Sequence, residues 1–550
     1  MGKHGHKLRN WLIGIGIFLL MVLAGWQFYK YKLVDRQLGK VVHEKSRGLY
    51  SIRYEGLEVD EVRGSVHVRN LVVEPDSVVY ERMVASGSAP STLMRVSLPE
   101  LTIAGVKTPK ALLNKQIEGH LVEMNGPSIE IMVGGGGKRD SIIHDPSKDI
   151  FGELLQKLSK VSMDSVRLLH ATVHVRKMKS GVEVFNGEDV SCTLAGLLLD
   201  SVSMKDSSRV LFSREMSLRC AELQLPSKNK KYKFFIGGLG FESKGDVLHI
   251  EHVRIIPQLS ENAFVRSFPV QKDRYDFSLS DIMLKGIDRA ALWHRKLHAD
   301  SMMVRSGSYK IYRDLSQPPD TVSKKGRFPQ QLLQNLRVPV NIRTLVFRNS
   351  FIEYKEKNAR SDSAGRLRFY GASAEIHNVT NEPSAISRDN RCVLDFRARL
   401  LNEAPASARI VMFLRDPRGR FNIEGHIGSI DVVKLNQLTQ PMGLARLEKG
   451  RISSLRFSFA GTDSSSDGTL TMAYEGLKVT LLKKDDEHNE YDRKAFVSFL
   501  ANLIMKKSSP GKGDEPRTVE VHFDRIMYKS FFNLIWKSIF TGMKKNVGVK

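Results

Sequence analysis

The feature that most limits what this chain can become is a block of alternating apolar residues that occurs twice, about 180 residues apart. GSVHVRNLVVEP (Gly64–Pro75) returns as GDVLHIEHVRIIP (Gly245–Pro257), with Val66, His67, Val68, Leu71, Val73 and Pro75 answering to Leu248, His249, Ile250, Val253, Ile255 and Pro257. VSLPELTIAGV (Val96–Val106) returns as FSLSDIMLKGI (Phe277–Ile287), matching Ser97, Leu98, Leu101, Ile103 and Gly105 to Ser278, Leu279, Ile282, Leu284 and Gly286. A third block, LLQKL with VSMDSVRLLHATVHV (Leu154–Val175), resembles LLQNL with VPVNIRTLVFRNSFIEY (Leu332–Tyr354). Three blocks in one order, with shared punctuation by glycine and proline, point to an internal duplication over 51–236 and 237–430. A repeat of this length implies an extended, unit-by-unit architecture.

The repeated blocks read as strands. Apolar residues recur at every second position (Val66 and Val68; Val173 and Val175; Leu98, then Leu101 and Ile103 after a slip at Pro99), the period of a sheet with one apolar face. Turn residues such as NGP and GGGG separate them. The expected fold is therefore mainly β with short helices, its sheet largely antiparallel. Helices are expected at Lys110–Ile117, Lys148–Lys160, Ala290–Leu297, Gln330–Leu336, Val432–Leu438, Ala495–Met505 and Tyr528–Lys545. The apolar face carries Val66, Val68, Val96, Leu98, Leu101 and Ile103, and in the second copy Leu248, Ile250, Phe277, Leu279, Ile282 and Leu284. Two fates are open to these residues: the lining of an apolar groove, or the core of an ordinary sandwich.

Ahead of the strands, a basic tail (residues 1–10) precedes a run over 11–29 that is long enough for about one membrane crossing. Its apolar positions are Trp11, Leu12, Ile13, Ile15, Ile17, Phe18, Leu19, Leu20, Val22, Leu23 and Trp26, and the two tryptophans mark headgroup depth. A cleaved signal peptide, cut near Ala24, is the rival to a retained anchor. Residues 30–50 form a stalk, 431–490 a further β segment and 491–550 a helical cap. The last helix sets Phe532, Ile535, Trp536, Ile539, Phe540 and Met543 on one face. That face either plugs the open end of the sheet or contacts a membrane or partner.

Lys and Arg number 85 against 60 Asp and Glu, a formal charge of +25. No basic recognition helix or interleaved aromatic and basic platform stands out, so anionic lipid is favoured as partner over nucleic acid. Cys192, Cys220 and Cys392 lack metal spacing and sit in strand-like runs, as small buried hydrophobes do. No Gly-x-Ser-x-Gly, His-Glu-x-x-His, Cys-x-x-Cys or dinucleotide fingerprint is present, and GGGG (Gly134–Gly137) lacks the spacing of a phosphate loop. No enzyme, cofactor or metal is expected.

The single N-terminal anchor, the repeated V-x-V-x-x-L-x-V-x-P and L-P-E-L-x-I-x-G blocks, and the tail FDRIMYKSFFNLIWKSIFTGMKK together resemble the AsmA-like family. The segments FNIEGHIGSIDVVKLNQLTQP, from Phe421, and EKGRISSLRFSFAG are in keeping with it. The resemblance implies an inner-membrane protein of a Gram-negative envelope whose periplasmic part forms an elongated, curved β-groove. It implies traffic of phospholipid or another anionic envelope lipid toward the outer membrane, with an outer-membrane protein as a possible further partner. An assembly role without lipid transport is the alternative. The family pattern carries no catalytic residue.

Overall fold

The computed structural model describes residues 42–548 apart from 45, 61, 108–115, 135–158, 204–205, 207, 228, 359–362, 442–444, 482, 485–490, 493–507 and 510–514. The expected anchor over 11–29 and the helix Ala495–Met505 lie outside the described residues. Among the described residues no helix is long and apolar enough to cross a membrane. Twenty-two strands hydrogen-bond into one mixed, mostly antiparallel sheet. The chain divides into two compact units.

The first unit holds β1 (Tyr50–Arg53), β2 (Gly56–Asp60), β3 (Ser65–Pro75), β4 (Thr92–Ala104), β5 (Gln116–Asn125), β6 (Ser128–Val133), β7 (Lys160–Lys177), β8 (Glu183–Leu199) and β9 (Glu215–Pro226). Strands β1 and β2 pair in turn along β3, β3 pairs with β4, and β4 pairs with β6 and β5 in turn. β5 and β6 both run parallel to β7, whereas β7–β8 and β8–β9 are antiparallel. Gln116 and Ile117 open β5, and Lys160 opens β7, so the helices expected at Lys110–Ile117 and Lys148–Lys160 do not reach those residues. Buried Ile117 in β5, and Val161 and Met163 in β7, extend the alternating strand pattern back to both starts.

Strands β10 (Tyr232–Glu242) and β11 (Val247–Pro257) contribute to both units. The second unit continues with β12 (Arg274–Lys285), β13 (Leu297–Asp314), β14 (Val340–Lys357), β15 (Ala364–Thr380), β16 (Arg391–Leu400), β17 (Ala404–Phe413), β18 (Phe421–Ile427), β19 (Ile430–Asp431), β20 (Ala445–Gly461) and β21 (Ser465–Leu481). Its last strand, Arg517–Asp524, pairs with β21. The helices Arg289–Trp293 and Pro329–Gln334 are shorter than expected, because Leu297 already belongs to β13 and Asn335 ends the second.

The two series match element by element. A short helix, capped by Asp76 in one and Ser260 in the other, joins β3 to β4 and β11 to β12. The parallel pair falls at the same place, β5 and β6 beside β7 in one and β13 beside β14 in the other. Left-handed residues also correspond: Gly105 with Gly286, His170 with Asn349, Asp189 with Gly371, and Gly196 with Asn378. Most are Gly, Asn or Asp, the residues that tolerate this backbone, and His170, Asp189, Asn349 and Gly371 lie where a long strand shifts register at a bulge.

This explains the slip at Pro99. Register across β3 and β4 is unbroken, with Val68 opposite Leu101 and Leu71 opposite Leu98, but Asn70 sits at φ 50°. The two strands turn there, so that residues three apart share one face. Asp281, at φ 53°, lies between Leu279 and Ile282 in β12.

The C-terminal end of the second unit is filled. Phe328, Phe421 and Phe531 meet edge to face, with centroids 4.9 to 5.9 Å apart, and the Arg525 guanidinium lies 4.4 Å from the Phe328 ring centre. Arg525 also donates to the carbonyls of Asp463, Lys324 and Lys529, tying three loops together. The last helix, Phe531–Asn546, starts at the Ser530 cap and buries Phe531, Leu534, Ser538, Ile539, Gly542 and Asn546. A Cβ on Gly542 would stand 2.8 Å from Leu470, which shows how closely helix and sheet approach. Of the face expected from sequence, Ile539 is buried, Ile535, Trp536, Phe540 and Met543 flank the contact half-buried, and Phe532 is 68% exposed. The helix is rotated because Gly542 and Ser538, small rather than apolar, form its line of closest approach.

Candidate functional site

On the apolar side of each unit, strand register assembles single residues into rows that cross the sheet. In the first unit Val59, Val66, Ile103, Val122, Val166, Leu194 and Met216 face one another across seven strands. Leu57, Val68, Leu101, Met124, Leu168, Cys192 and Leu218 make the adjacent row. In the second unit one row runs over ten strands from Ile282 through Val304, Phe347, Ala374, Phe396, Ala408, Gly425, Phe457 and Leu470 to Val519. The next runs from Leu284 to Val521 through Met302, Leu345, Ile376, Leu394, Ile410, Ile423, Phe459 and Gly468. Neither of these two rows contains a polar side chain. Constant register over successive strands therefore turns the period-two sequence pattern into continuous apolar bands.

The bands differ in how they are covered. Val66, Val68, Val96, Leu98, Leu101 and Ile103 are all 0–8% exposed. Their counterparts split: Ile282 and Leu284 are buried, whereas Leu248, Ile250, Phe277 and Leu279 are half-buried. Phe277 belongs to an aromatic ladder of Tyr275, Phe277, Tyr309 and Phe347, with successive ring centres 5.5, 5.6 and 6.3 Å apart. Further along, Phe369 and Phe396 meet at 5.8 Å. Phe277, Tyr309, Phe347, Phe369 and Phe396 are each half-buried, so the apolar face over β12–β16 is only partly screened. Beyond β16 the same face is closed by the Phe328, Phe421 and Phe531 cluster and the last helix.

Burial pushes the Tyr309 phenol up to about 12, and Tyr275 is raised by burial and then by the nearby Asp273 carboxylate. Both stay neutral at physiological pH, keeping the ladder uncharged. The sequence pattern identified Phe277 but not Tyr309, Phe347, Phe369 or Phe396. Tyr309 faces Phe277 through the antiparallel pairing of β12 with β13, and Phe347 joins its row through the parallel pairing of β13 with β14, neither of which alternation within a strand encodes.

A polar cluster closes the other end of these strands. Arg313, buried, donates two bonds to Asp273 at 2.6 and 2.9 Å, while Lys272 pairs with Asp320 and Lys355 with Glu261. Burial lowers the Lys324 and Lys529 ammonium groups, and in Lys529 the Arg313 charge adds to it. These ties hold the loop after Asp314 against β12–β14. Among the described residues no group of three or more His, Cys, Asp or Glu is placed to hold a metal ion. Cys192, Cys220 and Cys392 are free and buried, and burial pushes their thiols up to about 12, 11 and 12. His249, the repeat counterpart of His67, and His252 lie along β11.

No protein-family model matches this chain, and no curated protein matches it.

Proposed function

We propose that this chain is an inner-membrane-anchored, periplasmic carrier of the AsmA-like type that shields lipid acyl chains on its apolar β face. The observation that carries the reading is the aromatic ladder on β12–β14, whose Phe277, Tyr309 and Phe347 are half-buried and whose Phe347 belongs to a row that stays apolar across ten strands. Such a surface stands on one side of a sheet whose far end is closed by a packed helix. Each acyl CH₂ sheltered there avoids about 0.8 kcal/mol of exposure to water, more than ~10 kcal/mol for a sixteen-carbon tail. Transfer of a lipid along apolar rows requires no bond to be made or broken. The excess of Lys and Arg suits an anionic lipid or membrane surface, and the apolar run over 11–29 supplies the anchor.

Purified full-length protein should carry phospholipid into mass spectrometry, and Phe277→Asp with Phe347→Asp should remove it while the thermal melt is retained. Absence of lipid from every preparation would count against the carrier.

A second reading has its own support. The rows of the first unit are almost wholly buried, as in a filled core, and that favours a scaffold or assembly factor for outer-membrane proteins. In that case cross-linkers placed at Phe277 or Phe347 capture polypeptide and not lipid.

A further inference from the structure

The polar face of the second unit holds a cleft of about 550 Å³ across β16, β17, β18, β20 and β21. Its side of the sheet is fixed by its lining. Phe396, Ala408, Gly425 and Phe457 border it, but none of their neighbours on the apolar face does, so these four contribute backbone and form the floor. The walls are the polar rows on either side. One runs Arg397, Ser407, His426, Arg456 and Thr471, and the other Asp395, Arg409, Glu424, Ser458 and Thr469. At ~4.8 Å between strands, the trench is about 19 Å long. On the opposite, apolar side Gly425 leaves room for the Phe457 ring, since a Cβ there would fall 2.2 Å from it.

The walls are unequal in charge. Arg409 is held by Asp395 at 3.3 Å, which neutralises both. Among the described residues Arg397 and Arg456 have no carboxylate within ion-pair distance, and both are exposed. They stand three strands apart on one row, about 14 Å, with Ser407 and His426 between them. Each guanidinium need cover only half that span to reach a shared ligand. Two planar forks, an imidazole and flanking hydroxyls form a donor set matched to a tetrahedral oxyanion. Glu424, on the opposite wall, is the one nearby carboxylate without an ion pair among the described residues, and it sets the limit on affinity by repulsion.

We propose that this trench binds a phosphate group, supplied either by a lipid headgroup or by a free phosphate compound, between Arg397 and Arg456. The proposal concerns the face opposite the apolar rows and stands apart from the carrier reading. Full-length protein in uncharged maltoside micelles is titrated with inorganic phosphate by calorimetry, and separately floated with phosphatidylglycerol vesicles. Arg397→Gln with Arg456→Gln should weaken binding at least ~10-fold, Glu424→Gln should tighten it, and Arg254→Gln, exposed on β11, should leave it unchanged. A response to inorganic phosphate assigns a free phosphate compound, and a response to vesicles alone assigns a headgroup; both support the site. Equal affinity in the wild type, the double arginine variant and Glu424→Gln, or no binding of either probe, overturns it. The Glu424→Gln arm decides the matter should the double variant lose its melt.

Discussion

Phe328→Ala tests how the C-terminal end of the sheet is closed. The Phe328 ring is 0% exposed, meets Phe531 at 4.9 Å and Phe421 at 5.9 Å, and carries the buried Arg525 guanidinium at 4.4 Å. Truncating a buried phenylalanine costs about 3–5 kcal/mol, and loss of a desolvated cation–π partner adds ~1 kcal/mol. Arg525 remains buried without that ring. The sum, ~4–6 kcal/mol, falls on the contact that docks the last helix, so that helix should open before the rest of the unit. At about 1.4 kcal/mol per tenfold, amides of Phe531–Asn546 should exchange ~10³–10⁴ times faster. Phe532→Ala removes a ring of equal size from an exposed position and should move exchange by ~0.5 kcal/mol or less. Exchange of the helix within tenfold of wild type in Phe328→Ala, or equal effects from the two variants, would refute the packing described.

Leu98→Asp places a charge in a fully buried row and should abolish the melt of the first unit, whereas Phe277→Asp, half-buried, should lower it far less; differential scanning calorimetry separates them. Gly105→Ala combines φ 70° with a Cβ 2.1 Å from the His120 ring and should destabilise by more than ~2 kcal/mol, while Gly87→Ala, at φ 71° with open space, should cost about 1 kcal/mol in the same denaturation assay. His522 hydrogen-bonds Asp467 at 2.5 Å, and that bond, reinforced by Asp524, raises its pKa above the usual 6.5. The bond therefore stabilises fully below about pH 6.5 and is lost as pH rises through the folded value, so an NMR titration should find the His522 midpoint above 6.5 and Asp467→Asn should return it. Maleimide should leave Cys192, Cys220 and Cys392 unlabelled in native protein at neutral pH and label all three in denaturant.

The strands were legible because their apolar residues alternate, and the duplication was legible because glycine and proline punctuate both copies alike. What alternation conceals is the third dimension of a sheet. Leu98 and Leu101 share a face only because Asn70 turns left-handed on the neighbouring strand, a property of strand pairing. The parallel partnership of β13 and β14 likewise puts Phe347 beside Val304 across residues far apart in sequence. The last helix was found but rotated, since hydrophobicity pointed to Phe532 while close approach selected Gly542 and Ser538. The arginine trench left no sequence signal because Arg397, His426 and Arg456 come from three separate strands.

Photo-crosslinking decides the central claim. With p-benzoylphenylalanine replacing Phe277 or Phe347 in full-length protein in living cells, illumination should give adducts of phospholipid mass, while the same group at exposed Arg254 gives none. Adducts of protein alone at both aromatic positions, or no adduct anywhere along β12–β14, would contradict an apolar face that shelters acyl chains.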